Sequence, residues 1–372
     1  MKVLYFLHSL VVGGAETVCT KYLLALKERK VDVVLVVINH TDSFLEKQLR
    51  QSGVRIISIC PLSTRYKLFS KLNGLYLRVI SFSAWWNKII EIEKPDVIHI
   101  NTLLINLFVT DKFPCSKMIY TFHGDVERYM SLMNKKAKVN IQRYADGGMK
   151  FFALSNEIIV DVKNVLSTSN IAYIPNGVEI DNIRSSGYKR EAFLSPLNIP
   201  MDSFVIGHVA RFHEVKNQER TVKIFKEVLK TRPDSYLIFV GDCNNKWGDI
   251  VKELVEKNGL CERVRFLGIR SDATNIMAVF NAIILPSYTE SFSLVMVEAQ
   301  ANNVRTVASM AVPESVICND NCFRLSLDDS DETWAYYITS DFTEKNRYKL
   351  EDFAMDNVVD KLLDEYRKTA AL

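Results

Sequence analysis

The chain has 372 residues, 48% of them hydrophobic and 24% charged, which is enough for about two domains of roughly 100–200 residues each and too well balanced for disorder. Its seven cysteines, Cys19, Cys60, Cys115, Cys243, Cys261, Cys318 and Cys322, are odd in number and irregularly spaced, which argues against a disulfide framework and for a reducing compartment. The net charge of +3 is uneven: residues 1–179 carry 23 Lys+Arg against 15 Asp+Glu (+8), and residues 180–372 carry 24 against 29 (−5), so the first half is the one to face something anionic.

In chain order, Lys2 and the apolar stretch Val3–Val12 imitate a leader peptide. That stretch runs through Gly13-Gly14-Ala15-Glu16 straight into an amphipathic segment, Ala15–Arg29, with no convincing cleavage site, so it reads as a first strand over Lys2–Leu7. Val31–Ile38 is a β-branched run of the kind buried on both faces of a parallel sheet. Val54–Ile59, Val97–Ile100, Met118–Phe122 and Phe151–Leu154 continue the strand pattern, with helical stretches between most of them. Ile174-Pro175-Asn176-Gly177-Val178 is a turn signal. A polar, strand-poor stretch then runs to about Asp202. The alternation restarts with a strand over Phe204–Ala210, a helix over Gln218–Lys230 and a strand over Tyr236–Val240. Short strands over Val264–Leu267, Ala282–Leu285 and Thr306–Ala308 follow, and Met355–Arg367 has helical spacing. The pattern predicts an α/β chain of two doubly wound, Rossmann-like domains facing across a cleft. No stretch approaches the roughly 20 apolar residues that span a bilayer, so a cytoplasmic protein is expected.

Four constellations carry chemistry. In Pro286-Ser-Tyr-Thr-Glu290-Ser-Phe-Ser-Leu-Val-Met-Val-Glu298, Glu290 sits at a strand-to-helix turn, where open α/β sheets bind ligands. The amides of Ser291, Phe292, Ser293 and Leu294 lie at the helix start and suit a diphosphate or a sugar hydroxyl. Glu298 lies further along the same helix, and a carboxylate can accept two hydrogen bonds from a sugar diol. The bland alternative is an acidic helix start that complements the dipole. In Gly207-His-Val-Ala-Arg211-Phe-His-Glu-Val-Lys216, two fixed cations follow a strand end, with Arg able to clamp phosphate and Lys adding a point charge; the alternative is a solvated loop. Gly13-Gly14 permits close backbone approach but is not the dinucleotide fingerprint. His123, in Thr121-Phe-His123-Gly124-Asp125, could bond a donor sugar or a leaving phosphate, or be structural. Cys318 and Cys322 form the one close cysteine pair, and nothing completes a zinc site.

With these residues in this order, the chain resembles the glycosyltransferase family 4 enzymes, the retaining GT-B glycosyltransferases. The resemblance runs over essentially the whole chain and is carried by Glu290-x7-Glu298, Arg211 with Lys216, Gly13-Gly14-Ala15-Glu16 and Pro175-Asn176-Gly177-Val178. It implies that Arg211 and Lys216 hold the donor diphosphate, Glu298 the ribose hydroxyls, and Glu290 the transferred sugar. It implies also that the backbone of Ser291–Leu294 completes the sugar and phosphate site, and that Gly268 and Ile269 meet the nucleobase. His123, Gly13, Gly14 and Asn176 would complete the donor site from the first domain. The resemblance implies a first domain over 1–178, a donor-binding domain over 179–354 and a C-terminal helix, 355–372, returning to the first domain. The substrate would be a UDP- or GDP-sugar, and no cofactor or catalytic metal is implied. The sequence departs from the family with Ser291 in place of a common glycine and Asn302-Asn303-Val304-Arg305 in place of a glycine–proline motif.

The acceptor is less legible. Residues 65–88 carry five basic residues and no acidic one, interleaved with aromatics such as Tyr66, Phe69, Trp85 and Trp86. Residues 112–150 add eight basic against three acidic. This suits an anionic membrane surface and a polyprenyl-diphosphate-linked glycan acceptor, as in bacterial capsule, exopolysaccharide or O-antigen assembly; the alternative is helices that bury their aromatics. No nucleic-acid recognition motif appears. The rival readings are a nucleotide-sugar epimerase on the same fold and a non-catalytic sugar-nucleotide-binding partner.

Overall fold

The computed structural model describes residues 1–11, 13–60, 62–63, 73, 81–101, 110–340 and 349–372. It divides into two compact units, Met1–Gly177 with Met355–Leu372, and Val178–Ala354.

In the first unit the strands are β1 (Lys2–Ser9), β2 (Asp32–Asn39), β3 (Arg55–Ser58), β4 (Val97–Asn101), β5 (Met118–Phe122), β6 (Lys150–Ala153) and β7 (Ile171–Tyr173). They lie in the order β3-β2-β1-β4-β5-β6-β7, and every pairing is parallel. β1 is central: Leu4 faces Val34 on one side and Ile98 on the other. Helices cover both faces, so Val3–Leu7 and Val33–Ile38 are buried throughout, and this is why these runs are continuously apolar rather than alternating. Helix α1 (Gly14–Glu28) turns Val18, Cys19, Tyr22, Leu23 and Leu26 inward. Helix α2 (Phe82–Glu93) buries Trp86, Ile89 and Ile90, and Trp86 meets Phe6 edge-on at 6.0 Å.

In the second unit the strands are β8 (Phe204–Val209), β9 (Ser235–Val240), β10 (Val264–Phe266), β11 (Ala282–Leu285), β12 (Arg305–Ser309) and β13 (Cys322–Leu325). Their order is β10-β9-β8-β11-β12-β13, again parallel. Successive side chains of a strand point to opposite faces, and the core divides accordingly. Ile206, Leu237, Phe239, Ile284 and Val307 pack in one cluster, and Val205, Val209, Ile238, Val240 and Ile283 in another. Gly207 sits in β8 because the Phe280 ring occupies the space a Cβ would need. Helix α3 (Gln218–Thr231) follows β8, and helix α4 (Leu294–Ala301) follows β11.

The final helix, α5 (Met355–Ala370), belongs to the first unit. It buries Val358, Val359, Leu362, Leu363 and Tyr366. Ion pairs Arg29–Asp356, Arg29–Asp360 and Lys150–Glu365 hold its flanks.

Strands β7 and β13 are additional to those expected from periodicity. Each is three or four residues long and only partly buried, so neither carries an apolar run. Of the basic, aromatic stretch 65–88, only 73 and 81–88 lie within the described residues. There Trp86 is core, and Trp85 is half-buried. No helix among the described residues is long and apolar enough to cross a membrane.

Candidate active site

In both sheets the strand order reverses beside the first strand of the unit, between β1 and β4 and between β8 and β11. Chain connections leave in opposite directions at such a point and open a crevice at the strands' carboxyl ends. Each of the four constellations lies at such carboxyl ends.

In the second unit the crevice is built by the loops after β8 and β11. Lys216 ends a short 3-10 turn, Glu214–Lys216, and its Nζ lies 2.6 Å from Glu290 Oε1. The Ser287 hydroxyl donates to the same oxygen at 2.8 Å. The Glu290 side chain is 7% exposed, whereas that of Lys216 is 29% exposed, so the pair has a sheltered carboxylate and a cation that reaches solvent. The loops are tied in other ways too. Tyr288 N donates to Val215 O at 2.8 Å, and Asn217 Nδ2 donates to Pro286 O at 3.1 Å. Ser309 Oγ, from the end of β12, donates to Ser287 O at 2.6 Å. Gln218, 3% exposed, donates through Nε2 to Arg211 O at 3.1 Å. It fixes the backbone of Arg211 and leaves its side chain exposed.

The rim continues over the neighbouring strands. Gly241 N, after β9, donates to Gly268 O at 2.8 Å, and Phe212 N donates to Asp242 O at 3.0 Å. Gly268 has φ +66°, a left-handed turn that places Ile269 outward with 73% exposure. His208, buried at the end of β8, bonds Thr221 Oγ1 through Nδ1 at 2.8 Å. Burial, with the charge of Lys216 adding to it, pushes its pKa down to about 3, so it stays neutral below the cation.

Helices α3 and α4 both begin on a left-handed residue, Asn217 and Ser293, without a side-chain cap. Ser43, Ser81, Ser155 and Ser330 precede helices and each accepts a hydrogen bond from an amide of the first turn. Ser293 stands in the same position but has φ +71° and makes no such bond. The first amides of α4, at the helix's positive pole, are therefore not capped by that side chain. Phe292, 1% exposed, anchors the turn against Phe353, with ring centres 5.6 Å apart. Ser291, Leu294 and Glu298 are half-buried.

In the first unit Gly13 caps α1, and Gly14 is its first, exposed residue. Glu16 folds back over this start: its Oε2 lies 2.5 Å from where a Cβ on Gly13 would sit. An acidic residue in the first turn complements the helix's positive pole, and α1 has Glu16 there whereas the first turn of α4 has no acidic residue. His123 follows β5, and its Nε2 lies 2.9 Å from Asn101 Oδ1 at the end of β4. Burial lowers the His123 pKa to about 4. Gly124 is covered by the ring of Tyr129. Asn176 is 6% exposed, in a turn clasped by Tyr22, whose hydroxyl donates to Pro175 O at 3.1 Å and accepts from Gly177 N at 2.8 Å.

Thus Arg211, Lys216, Glu290, Ser291, Phe292, Ser293, Leu294, Glu298, Gly268 and Ile269 belong to one unit, while Gly13, Gly14, His123 and Asn176 belong to the other. Sequence reasoning passed over Ser287, Asn101, His208 and Gln218. Of these, Ser287 and Asn101 had a signal, being polar residues directly after apolar strand runs. No group of three or more metal-ligating side chains occurs among the described residues.

Residues 12–182 match the model of Glycosyltransferase Family 4, and residues 189–344 match that of Glycosyl transferases group 1. EpsF of Bacillus subtilis, named a glycosyltransferase, is 29% identical over 194 residues, 52% of this chain and 48% of that protein. The Escherichia coli enzyme named as transferring galactose from UDP-Gal to GlcNAc-diphosphoundecaprenol is 28% identical over 37% of this chain and 36% of its own. The chain therefore spans about half, or less, of these curated relatives. Among solved structures, HepE of Anabaena in complex with UDP and glucose has a TM-score of 0.74 at 18% identity, covering 99% of this chain and 100% of its own. A Rickettsia africae glycosyltransferase has a TM-score of 0.75 at 17% identity, covering 99% and 98%.

Proposed function

We propose, for a chain that belongs to the family 4 glycosyltransferases of GT-B fold, that it moves a hexose or N-acetylhexosamine from a nucleotide sugar, UDP rather than GDP, to a glycan acceptor with retention. The observation that carries the reading is the Lys216–Glu290 pair beside the uncapped start of α4, at the switch point of the second sheet. Arg211, Lys216 and the α4 amides would take the diphosphate, Glu298 the ribose hydroxyls, Glu290 the transferred sugar, and the backbone at Gly268 and Ile269 the base. His123 would face the sugar, and the Gly13-Gly14 turn the donor phosphate and acceptor region. UDP in the HepE structures supports the choice of base.

Glu290 is engaged by Lys216 and Ser287, a setting for a binder of hydroxyls and not for a nucleophile. We therefore favour a front-face displacement. The bond from the anomeric carbon to the diphosphate oxygen breaks, and the acceptor hydroxyl attacks from the same face. Its proton passes to a phosphate oxygen of the leaving group. The protein contributes positioning and charge stabilisation of the departing diphosphate. The E. coli relative's diphosphoundecaprenol acceptor and the +8 charge of residues 1–179 support a lipid-linked acceptor at an anionic membrane face, in capsule, exopolysaccharide or O-antigen assembly.

A thermal-shift and hydrolysis panel of UDP- and GDP-sugars tests this. The cognate donor at about 100 times its Kd should stabilise the fold by about 2.7 kcal/mol, and sugar should be released slowly without change at C2. An epimer formed from donor alone would establish the epimerase reading instead, and no shift with any nucleotide sugar would remove donor use altogether.

A further inference from the structure

After β5 the first unit forms two helices in succession, Val126–Leu132 and Lys135–Asp146. The second buries Ala137, Ile141, Tyr144 and Ala145. At about 100° of turn per residue, the point opposite that buried stripe is Val139, which is 60% exposed. Lys135 and Lys136 stand four and three residues before it and Arg143 four after, which makes them its neighbours on the helix surface. Leu132, 69% exposed, ends the preceding helix four residues after Arg128, on the same face. Single exposed aliphatics are ordinary; two of them set among cations on adjoining helices form an amphipathic surface.

We propose that this surface, Leu132 and Val139 with Arg128, Lys135, Lys136 and Lys138, is where the first unit rests on a membrane carrying anionic lipid. The aliphatic side chains enter the boundary between headgroups and acyl chains. The ammonium groups meet lipid phosphates while their stems lie along the apolar layer. The proposal rests on the anionic membrane face in the reading above and gives that face its residues.

The positive charge there is available. Lys135, Lys136 and Lys138 are exposed and make no ion pair among the described residues. The acids nearby are otherwise engaged. Asp111 pairs with Arg143, Asp146 accepts from Gln142 Nε2 at 2.9 Å, and Asp125 accepts from Arg128 N as a helix cap at 2.7 Å. Glu127 projects about 100° round the helix from Arg128. Its charge, with those of Asp125 and Glu157, acts on Asp161, whose pKa is raised by burial first and by these neighbours further. An acidic protein or a nucleic acid would use the cations alone; the exposed leucine and valine favour lipid. The described end of the basic stretch 65–88 offers less, since Trp86 is core.

Flotation of the full chain with vesicles of equal parts phosphatidylglycerol and phosphatidylcholine tests this. The wild type is expected to float with them at low salt and to stay behind with phosphatidylcholine alone. Lys135→Gln, Lys136→Gln and Lys138→Gln together should weaken binding on the order of 10²-fold, at about fivefold per cation. Leu132→Ser with Val139→Ser should weaken it about tenfold. Both variants alter exposed side chains and should melt like the wild type. Lys223→Gln, Lys226→Gln and Lys257→Gln together, at exposed lysines of the second unit, should float like the wild type. No flotation at low salt overturns the proposal, and so does undiminished flotation of the variant at Lys135, Lys136 and Lys138. Unchanged binding of the serine variant, with all binding lost at moderate salt, would mark the surface as a site for a polyanion and overturn the lipid assignment. Vesicle binding needs neither donor nor acceptor. Failure here therefore leaves the nucleotide-sugar panel standing, and failure of that panel leaves this surface tested.

Discussion

Arg211 and Glu290 illustrate two ways in which a charged residue stands at a site. Glu290 is sheltered and paired; Arg211 is exposed, and its guanidinium has no partner among the described residues. Removing an unpaired exposed side chain costs within about 0.5 kcal/mol of stability. Removing a cation that faces a leaving diphosphate costs about 10²-fold or more in turnover. Arg211→Ala should therefore melt like the wild type yet lose donor turnover, measured side by side by calorimetry and a coupled UDP-release assay. A near-normal rate would take Arg211 out of the site. The histidines with depressed pKa make a second prediction. His99, His123 and His208 have depressed pKa values in the fold because burial penalises their charged form. The unfolded chain binds protons first as pH falls below about 6.5, and each such histidine then removes up to about 1.4 kcal/mol per pH unit. Their contribution is whole above about pH 6.5 and is lost progressively toward about 4 for His123 and about 3 for His208. Thermal melts from pH 7.5 to 4.5 should fall steeply, and a flat profile would contradict the buried, neutral assignment.

The segments that matter most for the site are short turns between long regular pieces. Strands β8 and β11 bring their ends side by side through parallel pairing, and the turns after them supply Lys216 and Glu290. The start of α4 stores strain there. A non-glycine residue in the left-handed region costs roughly 1–2 kcal/mol, and Ser293 at φ +71° bears that cost without capping the helix. Ser293→Gly should raise the stability of the second unit by about 1 kcal/mol, read as a higher denaturation midpoint at unchanged m-value. A loss of stability would show that the serine side chain has a structural partner. Among elements, apolar runs such as Val33–Ile38 were legible as strands because burial on both faces demands them. The short strands β7 and β13 were not, since pairing to a neighbour, and not their own composition, makes them strands. Trp86 was ambiguous for a related reason: an aromatic at helical spacing has the same pattern against a core as against a membrane, and only its contact with Phe6 places it in the core.

At the scale of the molecule, α5 is the element whose place is farthest from its position in the chain. It ends the sequence but completes the first unit, with Val358, Val359, Leu362, Leu363 and Tyr366 buried there. Each such side chain contributes on the order of 1.5–3 kcal/mol on burial, and their sum rivals the about 5–15 kcal/mol that a domain has in total. Deleting residues 355–372 should unfold the first unit, with amide exchange rising across β1–β7 while β8–β13 keep their protection. Persistent protection in β1–β7 would show that the helix is dispensable.

The sequence by itself determined the repeated α/β alternation, the turn near Asn176 and the acids and cations at strand ends, because periodicity and punctuation are local. It could rank Glu290, Glu298, Arg211 and Lys216 only through their spacing, and a helix-dipole role for the acids was an equal account at that level. Tertiary structure decided what local pattern cannot carry. Sheet order sets β8 beside β11, so residues 74 positions apart come within 2.6 Å. Parallel pairing joins Asn101 to His123, 22 positions on. Helices α3 and α4 start on left-handed residues without a side-chain cap. These are facts of which strand lies next to which, and strand order is a property of the whole chain's packing, not of any stretch within it.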